Sequence, residues 1–104
     1  MNLSNELIQQ IKQTVHKAEP GAEIILFGSY ARGDQRTDSD IDLLILIDAE
    51  KQYEQVKKIT YPLFDLSFAL GEAIVPLVMN KKEWETIHRS TALYQNIKDE
   101  GYTL

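Results

Sequence analysis

Residues 28–42 read GSYARGDQRTDSDID, and they follow directly on the apolar run EIILF. The stretch opens with Gly28 and Ser29 and closes with Asp40 and Asp42, which one residue separates. Ten residues lie between the two pairs; they are mainly polar and include the Gly, Asp and Ser types that favour turns. Whether the chain folds back so that these two ends meet decides both the fold and the chemistry.

Apolar runs on either side of this stretch predict strands. Residues 23–27 are short, apolar and partly β-branched, which indicates a buried strand. Residues 40–47 are apolar throughout their inner part, which is typical of a strand covered on both faces. A third strand is expected at 73–79. Pro76 favours an edge position for it, because proline cannot donate a hydrogen bond to a neighbouring strand.

The spacing of apolar residues predicts helices between these strands. The first helix follows Ser4, a favourable N-cap, and the turn that begins at Gly28 is expected to end at Gly33 in a left-handed conformation. Pro62 is expected to kink or interrupt the long helix that contains it. The predicted helices span residues 3–18, 49–70, 80–89 and 92–100. Together the elements predict an α/β (α+β) fold: a small mixed sheet of at least three strands, with helices packed mainly on one face.

The composition is that of an ordinary globular domain, which we expect to span residues 1–104. No apolar run reaches the length of about 18 residues that suggests a membrane span, and the start MNLSNELIQQ does not resemble a signal peptide. The absence of cysteine excludes disulfides and thiolate metal sites and fits a cytoplasmic location. The net charge of −5 argues against direct binding to nucleic acids, so any bound nucleotide is expected to be a small one.

The two ends of the opening stretch have complementary chemistry. Side chains alternate across a strand, so Asp40 and Asp42 face the same side; two adjacent carboxylates repel each other unless a cation such as Mg²⁺ lies between them. Gly28 lets the backbone approach a phosphate closely, and Ser29 adds a hydroxyl to the N–H groups that open the turn. If the strands are neighbours, phosphates bound at the end of the first strand would contact metal ions bound at the start of the second. This arrangement indicates metal-assisted phosphoryl or nucleotidyl transfer.

Two plainer interpretations of the aspartates are weaker. A simple polar turn would suit Asp40, but it leaves Asp42 as a lone charge inside an apolar strand, which is energetically unfavourable. The run DSDID also imitates the start of an EF-hand loop, yet the glycine and glutamate that such a loop requires are replaced by Leu43 and Ala49.

The pattern Gly-Ser-x10-Asp-x-Asp resembles the signature of the polymerase-β-type nucleotidyltransferase superfamily. The fuller form, GSYARGD…SDIDLLI, resembles its minimal nucleotidyltransferase (MNT) branch over roughly residues 3–90. The resemblance implies ATP or another nucleoside triphosphate as donor, two Mg²⁺ ions, and transfer of a nucleoside monophosphate to a hydroxyl. Its implied site residues are Asp40 and Asp42 as catalytic metal ligands, and Gly28, Ser29 and Arg32 as phosphate-binding residues. For Arg32, pairing with an aspartate of the loop is an equally open alternative.

The resemblance also implies a partner. MNT proteins are frequently paired with a helical HEPN-domain protein in toxin–antitoxin systems, and some transfer AMP to a tyrosine of the HEPN toxin. A homodimer is an open possibility as well, because the predicted edge strand and the apolar residues near the carboxyl end leave room for one.

The chain departs from the family pattern in one place. Active members carry a third carboxylate on a later strand, and here Leu77 falls at that position in AIVPLVM, a strand without any acid. Glu72 and Asp65 are conceivable substitutes, although neither has the expected strand position. The departure motivates a second hypothesis, a catalytically weak or inactive binding module that acts by complexing a HEPN-domain partner.

Overall fold

The computed structural model describes residues 3–48, 53–86 and 88–104, which form five helices and four strands. In chain order these are α1 (Asn5–Ala18), β1 (Glu23–Phe27), α2 (Ser29–Arg32), β2 (Ile41–Ile47), α3 (Tyr53–Leu70), β3 (Ile74–Asn80), α4 (Lys81–Thr86), α5 (Ala92–Glu100) and β4 (Tyr102–Thr103). Among these residues, no helix combines the length and hydrophobicity that crossing a bilayer requires.

The first helix forms as its sequence predicts. The hydroxyl of Ser4 accepts a hydrogen bond from the N–H of Leu7 at 3.1 Å, which satisfies one of the free donors at the helix start. Ile8, Ile11 and Val15 recur at helical spacing and are buried. Burial of this apolar stripe fixes α1 against the sheet.

The four strands make one mixed sheet in the order β3-β2-β1-β4. Strand β2 pairs antiparallel with β1 and parallel with β3, and β4 pairs antiparallel with β1. The prediction that β3 lies at an edge is confirmed. The short strand β4 at the opposite edge was not predicted.

Helices cover both faces of β2, as its apolar sequence predicts. Its odd-numbered residues belong to the larger apolar cluster, which the two long helices α1 and α3 complete. On the other face, Leu44 and Leu46 pack with Trp84 of α4 and with Tyr94 and Ile97 of α5. The long helices therefore lie on one face, as expected, and the two short helices cover part of the other. Asp42 shares this second face at the start of the strand.

Two helix predictions need correction. Helix α3 continues through Pro62, so the interruption considered there is absent, while a kink stays a prediction; Pro62 and Lys58, whose carbonyl loses its donor, are both exposed residues. Helix α4 ends at Thr86 instead of near residue 89, although Asn80 caps it as expected by accepting from the N–H of Glu83 at 3.0 Å. The predicted start of α3 at residues 49–52 lies outside the described residues.

Candidate active site

The strand pairing brings the two ends of the opening stretch together. In the antiparallel pair of β1 and β2, Phe27 is the partner of Asp42, so Gly28 follows immediately beside the carboxylate. Gly28 has a φ of +78°, and a Cβ built on it would lie 2.3 Å from Oδ2 of Asp42. Only glycine fits this backbone conformation and this close approach. The sequence-based expectation that the two strands are neighbours is confirmed.

Helix α2 turns the chain away directly after this contact. The N–H of Arg32 donates to the carbonyl of Gly28 at 3.1 Å, and Gly33, with a φ of +80°, ends the helix in a left-handed conformation. The predicted turn is therefore present. Ser29 is half-buried at its start, where the N–H groups of a helix have no partner within the helix.

The two aspartates differ in their surroundings. Asp40 is exposed and precedes the strand, whereas Asp42 is half-buried within it. Burial raises the pKa of Asp42 above its ordinary value, the charge of Asp40 raises this pKa further, and the positive charge of Arg32 opposes both effects. A cation bound between the two carboxylates would relieve this repulsion.

The donor set fits Mg²⁺ bound together with a phosphorylated ligand. Mg²⁺ is usually held by one or two carboxylates and keeps water and phosphate oxygens as its other ligands. In the part of the chain that the structure describes, no group of three or more acidic, His or Cys side chains is arranged to hold a metal. The protein thus offers a pair of carboxylates, and further ligands would come from phosphate and water.

Arg32 lies between two carboxylates. Its Nε donates to Oδ2 of Asp34 at 3.2 Å, and its Nη1 donates to Oε1 of Glu100 at 3.3 Å. These hydrogen bonds, to Asp34 first and then to Glu100, raise the pKa of Arg32. The loop-aspartate pairing considered for Arg32 is therefore present, and its role in phosphate binding stays a prediction.

Glu100 is a site residue that the sequence did not indicate. Its Oε1 also accepts a hydrogen bond from the backbone N–H of Gly28 at 3.3 Å. This carboxylate is 72 positions away from Gly28 along the chain, and no local motif marks it. The small strand β4, which returns the carboxyl end of the chain to β1, brings Glu100 to the turn, and a two-residue strand leaves no pattern in the sequence.

The neighbouring strand β3 supplies no carboxylate. Its parallel register places Val75 beside Asp42 and Leu77 beside Leu44, so both apolar residues share the face of Asp42. The residue directly beside Asp42 is thus Val75. Leu77 lies on the same face, two residues further along the strand and away from the carboxylates. The expectation that this strand lacks an acid is confirmed.

The two conceivable substitutes lie elsewhere. Asp65 is exposed on α3 and lines a groove shared with α1, on the opposite face of the sheet from Asp42. Glu72 lines a separate groove beside the start of α1, together with Ser4 and Leu7. Neither is brought to the aspartate pair.

The sequence matches known proteins over most of its length. Residues 8–101 match the family model of the nucleotidyltransferase domain. A relative from Methanocaldococcus jannaschii, named "Putative protein adenylyltransferase MJ0141", is 32% identical over 78 residues, which are 73% of this chain and 79% of the relative. A second protein of that organism, "Putative protein adenylyltransferase MJ0604", is 61% identical over 31 residues, 30% of this chain and 31% of the relative.

Solved structures share the fold. A toxin–antitoxin crystal structure with AMP-PNP aligns with a TM-score of 0.61 at 24% identity, over 95% of this chain and 69% of the other. A variant of the toxin–antitoxin complex MntA-HpeT aligns with a TM-score of 0.63 at 22% identity, over 97% of this chain and 72% of the other. At these identities the likeness concerns the fold alone. The glycine turn follows the end of β1, and the aspartate pair lies at the start of the neighbouring β2. Because the family model matches residues 8–101, this chain belongs to the nucleotidyltransferase domain family.

Proposed function

We propose that this protein binds Mg²⁺ and ATP, or another nucleoside triphosphate, and transfers the nucleoside monophosphate to a hydroxyl group of a protein. The observation that carries the proposal is the contact between Gly28 and Asp42. The glycine that opens the backbone turn lies directly against the carboxylate of Asp42, which Asp40 repels. A phosphate bound at the turn and a metal ion bound at Asp42 would therefore be in contact.

Each residue has a distinct role in this proposal. Gly28 and Ser29 bind the phosphates through the N–H groups of the turn and the Ser29 hydroxyl, and Arg32 adds a positive charge. Asp40 and Asp42 hold the Mg²⁺ ions, of which family resemblance implies two. When bound, Mg²⁺ stabilises the negative charge that develops on the phosphate oxygens. The residues of the chain position the α-phosphate so that an acceptor can approach in line with the leaving pyrophosphate.

The transfer is a simple exchange of bonds. The acceptor oxygen forms a bond to the α-phosphorus, the bond from the α-phosphorus to the bridging oxygen breaks, and pyrophosphate leaves with that oxygen. Strand β3 supplies no carboxylate beside Asp42, and Glu100 is hydrogen-bonded to Gly28 and Arg32, so the acceptor protein is proposed to supply the base. Without a positioned base, turnover is expected to be slower by a factor of about 10² to 10⁴.

Two findings support a protein acceptor. The first is that two relatives are named as putative protein adenylyltransferases, which favours AMP as the transferred group. The second is that the structural neighbours are toxin–antitoxin complexes. We infer that the acceptor is a tyrosine of a partner toxin, and the family resemblance favours a toxin of the HEPN class.

The metal and nucleotide assignment has a direct test. Replacing both aspartates, Asp40→Asn with Asp42→Asn, is expected to abolish binding of Mg·ATP in calorimetry, since neither amide carries the charge that holds the cation. The single variant Asp38→Asn is the matched control, because it removes one carboxylate of the exposed loop outside the pair. Unchanged affinity in the double variant would refute the assignment.

A second candidate function has its own supporting observation. Strand β3 carries Val75 and Leu77 on the face of Asp42 and no acid, which favours a binding module that acts by complexing its partner without turnover. The two candidates differ in one experiment: incubation of the purified complex with α-labelled ATP and Mg²⁺. Label on the partner that depends on Asp42 supports the transferase, and a stable complex without label supports the binding module.

A further inference from the structure

We propose that Glu100 competes with the nucleotide's phosphates for the phosphate-binding turn and thereby sets nucleotide affinity. This inference rests on the proposed function of the turn. It starts from a contact that the proposed chemistry does not use: Oε1 of Glu100 accepts from the N–H of Gly28 at 3.3 Å and from Nη1 of Arg32 at 3.3 Å. A carboxylate thus takes two donors of the kind that a phosphate group requires.

The position of Glu100 follows from the sheet register. In the antiparallel pair of β1 and β4, Leu26 is the partner of Tyr102. Continuing this register by two residues in each strand brings Glu100 opposite Gly28. The two paired residues of β4 therefore hold the end of α5 close to the turn.

Close packing at Gly101 holds this alignment. A Cβ on Gly101 would lie 2.5 Å from the carbonyl oxygen of Ile97 and 2.8 Å from Cγ2 of Ile25. The glycine lets the end of α5 lie directly against β1, and its own N–H donates to the carbonyl of Ile97 at 2.8 Å. The backbone on both sides of the Glu100 contact is thus fixed by packing or pairing.

The electrostatic consequence has a definite sign. Glu100 is 23% exposed and carries a negative charge at the place where the proposed triphosphate brings several more. Binding of phosphate has to replace the Glu100 contacts to Gly28 and Arg32, and the carboxylate then repels the ligand. In the molecules in which Glu100 occupies the turn, phosphate cannot bind there. The apparent affinity therefore falls to the share set by the remaining, binding-competent molecules.

A structural role for Glu100 predicts the opposite sign. If the carboxylate only held Arg32 and the turn in shape, its loss would loosen the site and weaken nucleotide binding. The variant Glu100→Gln separates the two roles, because the amide keeps one oxygen acceptor for Gly28 while it removes the charge and replaces the second oxygen, which accepts from Arg32 at 3.4 Å, by an NH2 group. Asp99→Asn is the matched control: it removes one charge from the neighbouring position, where Asp99 accepts from Gln95 at 3.0 Å and not from the turn.

The experiment is calorimetry of the wild-type chain and both variants with Mg·AMP-PNP, inorganic tripolyphosphate and adenosine. We expect Glu100→Gln to bind Mg·AMP-PNP and tripolyphosphate about three- to tenfold more tightly than wild type. Asp99→Asn is expected to stay within about twofold, as is the affinity of every chain for adenosine. The gain is expected to shrink between about 0.05 and 0.5 M salt, which a purely structural effect would not do.

The outcomes distinguish this inference from the proposed function. If wild type binds Mg·AMP-PNP and Glu100→Gln binds it equally or more weakly, the competition by Glu100 is refuted and the proposed function stands. If neither wild type nor Glu100→Gln binds Mg·AMP-PNP or tripolyphosphate, both are refuted. Thermal unfolding of each variant checks that the fold is retained.

Discussion

Strand β2 has two neighbours, and they differ in what they place beside Asp42. On the side of β1 the chain turns at Gly28, whose backbone lies against the carboxylate and opens a set of N–H donors. On the side of β3 the neighbour is Val75, an apolar side chain that is 44% exposed. In the proposed function, the first side is the one suited to bind phosphate and metal. The second side carries no acid that could remove a proton, so the proposal predicts that binding and transfer can be separated by substitutions on the two sides.

The largest effect is expected from a substitution that disrupts the contact between Gly28, at the end of β1, and Asp42. Gly28→Ala puts a Cβ 2.3 Å from Oδ2 of Asp42 at a backbone φ of +78°, so backbone or carboxylate must move. We expect loss of Mg·ATP binding by a factor of about 100 or more and a lower unfolding temperature, measured by calorimetry and thermal unfolding.

The matched control is Gly33→Ala. Gly33 has a similar φ of +80°, but a Cβ there meets nothing within 4 Å. It is expected to lose about 1 kcal/mol of stability and to keep nucleotide binding. Equal loss of binding in both variants would show that backbone strain, and not the contact with Asp42, is responsible.

The second largest effect is expected from a substitution that adds a carboxylate to β3. Val75→Asp places a carboxylate beside Asp42 at an exposed position that tolerates it. We expect the affinity for Mn²⁺ or Mg²⁺ in the presence of AMP-PNP to rise about tenfold, because a third oxygen ligand joins the pair. Calorimetric titration of the metal measures it.

Two further substitutions on β3 qualify that result. Val75→Asn is the uncharged control and should leave metal affinity unchanged. Leu77→Asp should instead destabilise the fold by about 2 kcal/mol or more, since Leu77 packs against the apolar cluster of Leu44 and Trp84. A stable Leu77→Asp variant with raised metal affinity would contradict the register described for β3.

A smaller effect concerns stability without metal. Because burial and Asp40 raise the pKa of Asp42, its charged form destabilises the fold at pH values above that raised pKa. In a chelator, Asp42→Asn should raise the unfolding temperature slightly near neutral pH, because the amide carries no charge at this half-buried position. The advantage should disappear as the pH falls through the raised pKa, since the neutral carboxyl has no such penalty. A variant less stable than wild type at neutral pH would contradict this.

The smallest expected effects test the substitutes for a third carboxylate. Asp65→Asn and Glu72→Gln should each change nucleotide affinity by less than about twofold, because both residues lie in grooves beside α1, away from Asp42. Binding assays with Mg·AMP-PNP measure this. A loss of label transfer in either variant alone would show that the residue reaches the site.

Local patterns predicted the parts of the fold that depend on local physics. The apolar runs at β1 and β2, the cap at Ser4 and the left-handed Gly33 follow from periodicity and backbone preference, and the pair of Gly28 and Asp42 follows from them. Nucleotide and metal binding by this pair stays a prediction.

The missed features depend on distant contacts. Strand β4 has two residues, too few for any period, and Glu100 reaches Gly28 only through that strand. The residue beside Asp42 on β3 is likewise set by pairing register and not by residue type, so the pattern that pointed to Leu77 did not indicate Val75 as the neighbour of Asp42.

The pairing of Phe27 with Asp42 also changes the meaning of the ten-residue spacing. Strand pairing sets the distance between the turn and the aspartates, so the residues that connect them act mainly as a closed loop. For a flexible loop, closure entropy rises slowly, by about 0.6 kcal/mol for each doubling of length. Extra residues in the exposed segment at 36–38 would therefore cost little closure entropy, and the main loss would be the two hydrogen bonds between Arg36 and Ser39.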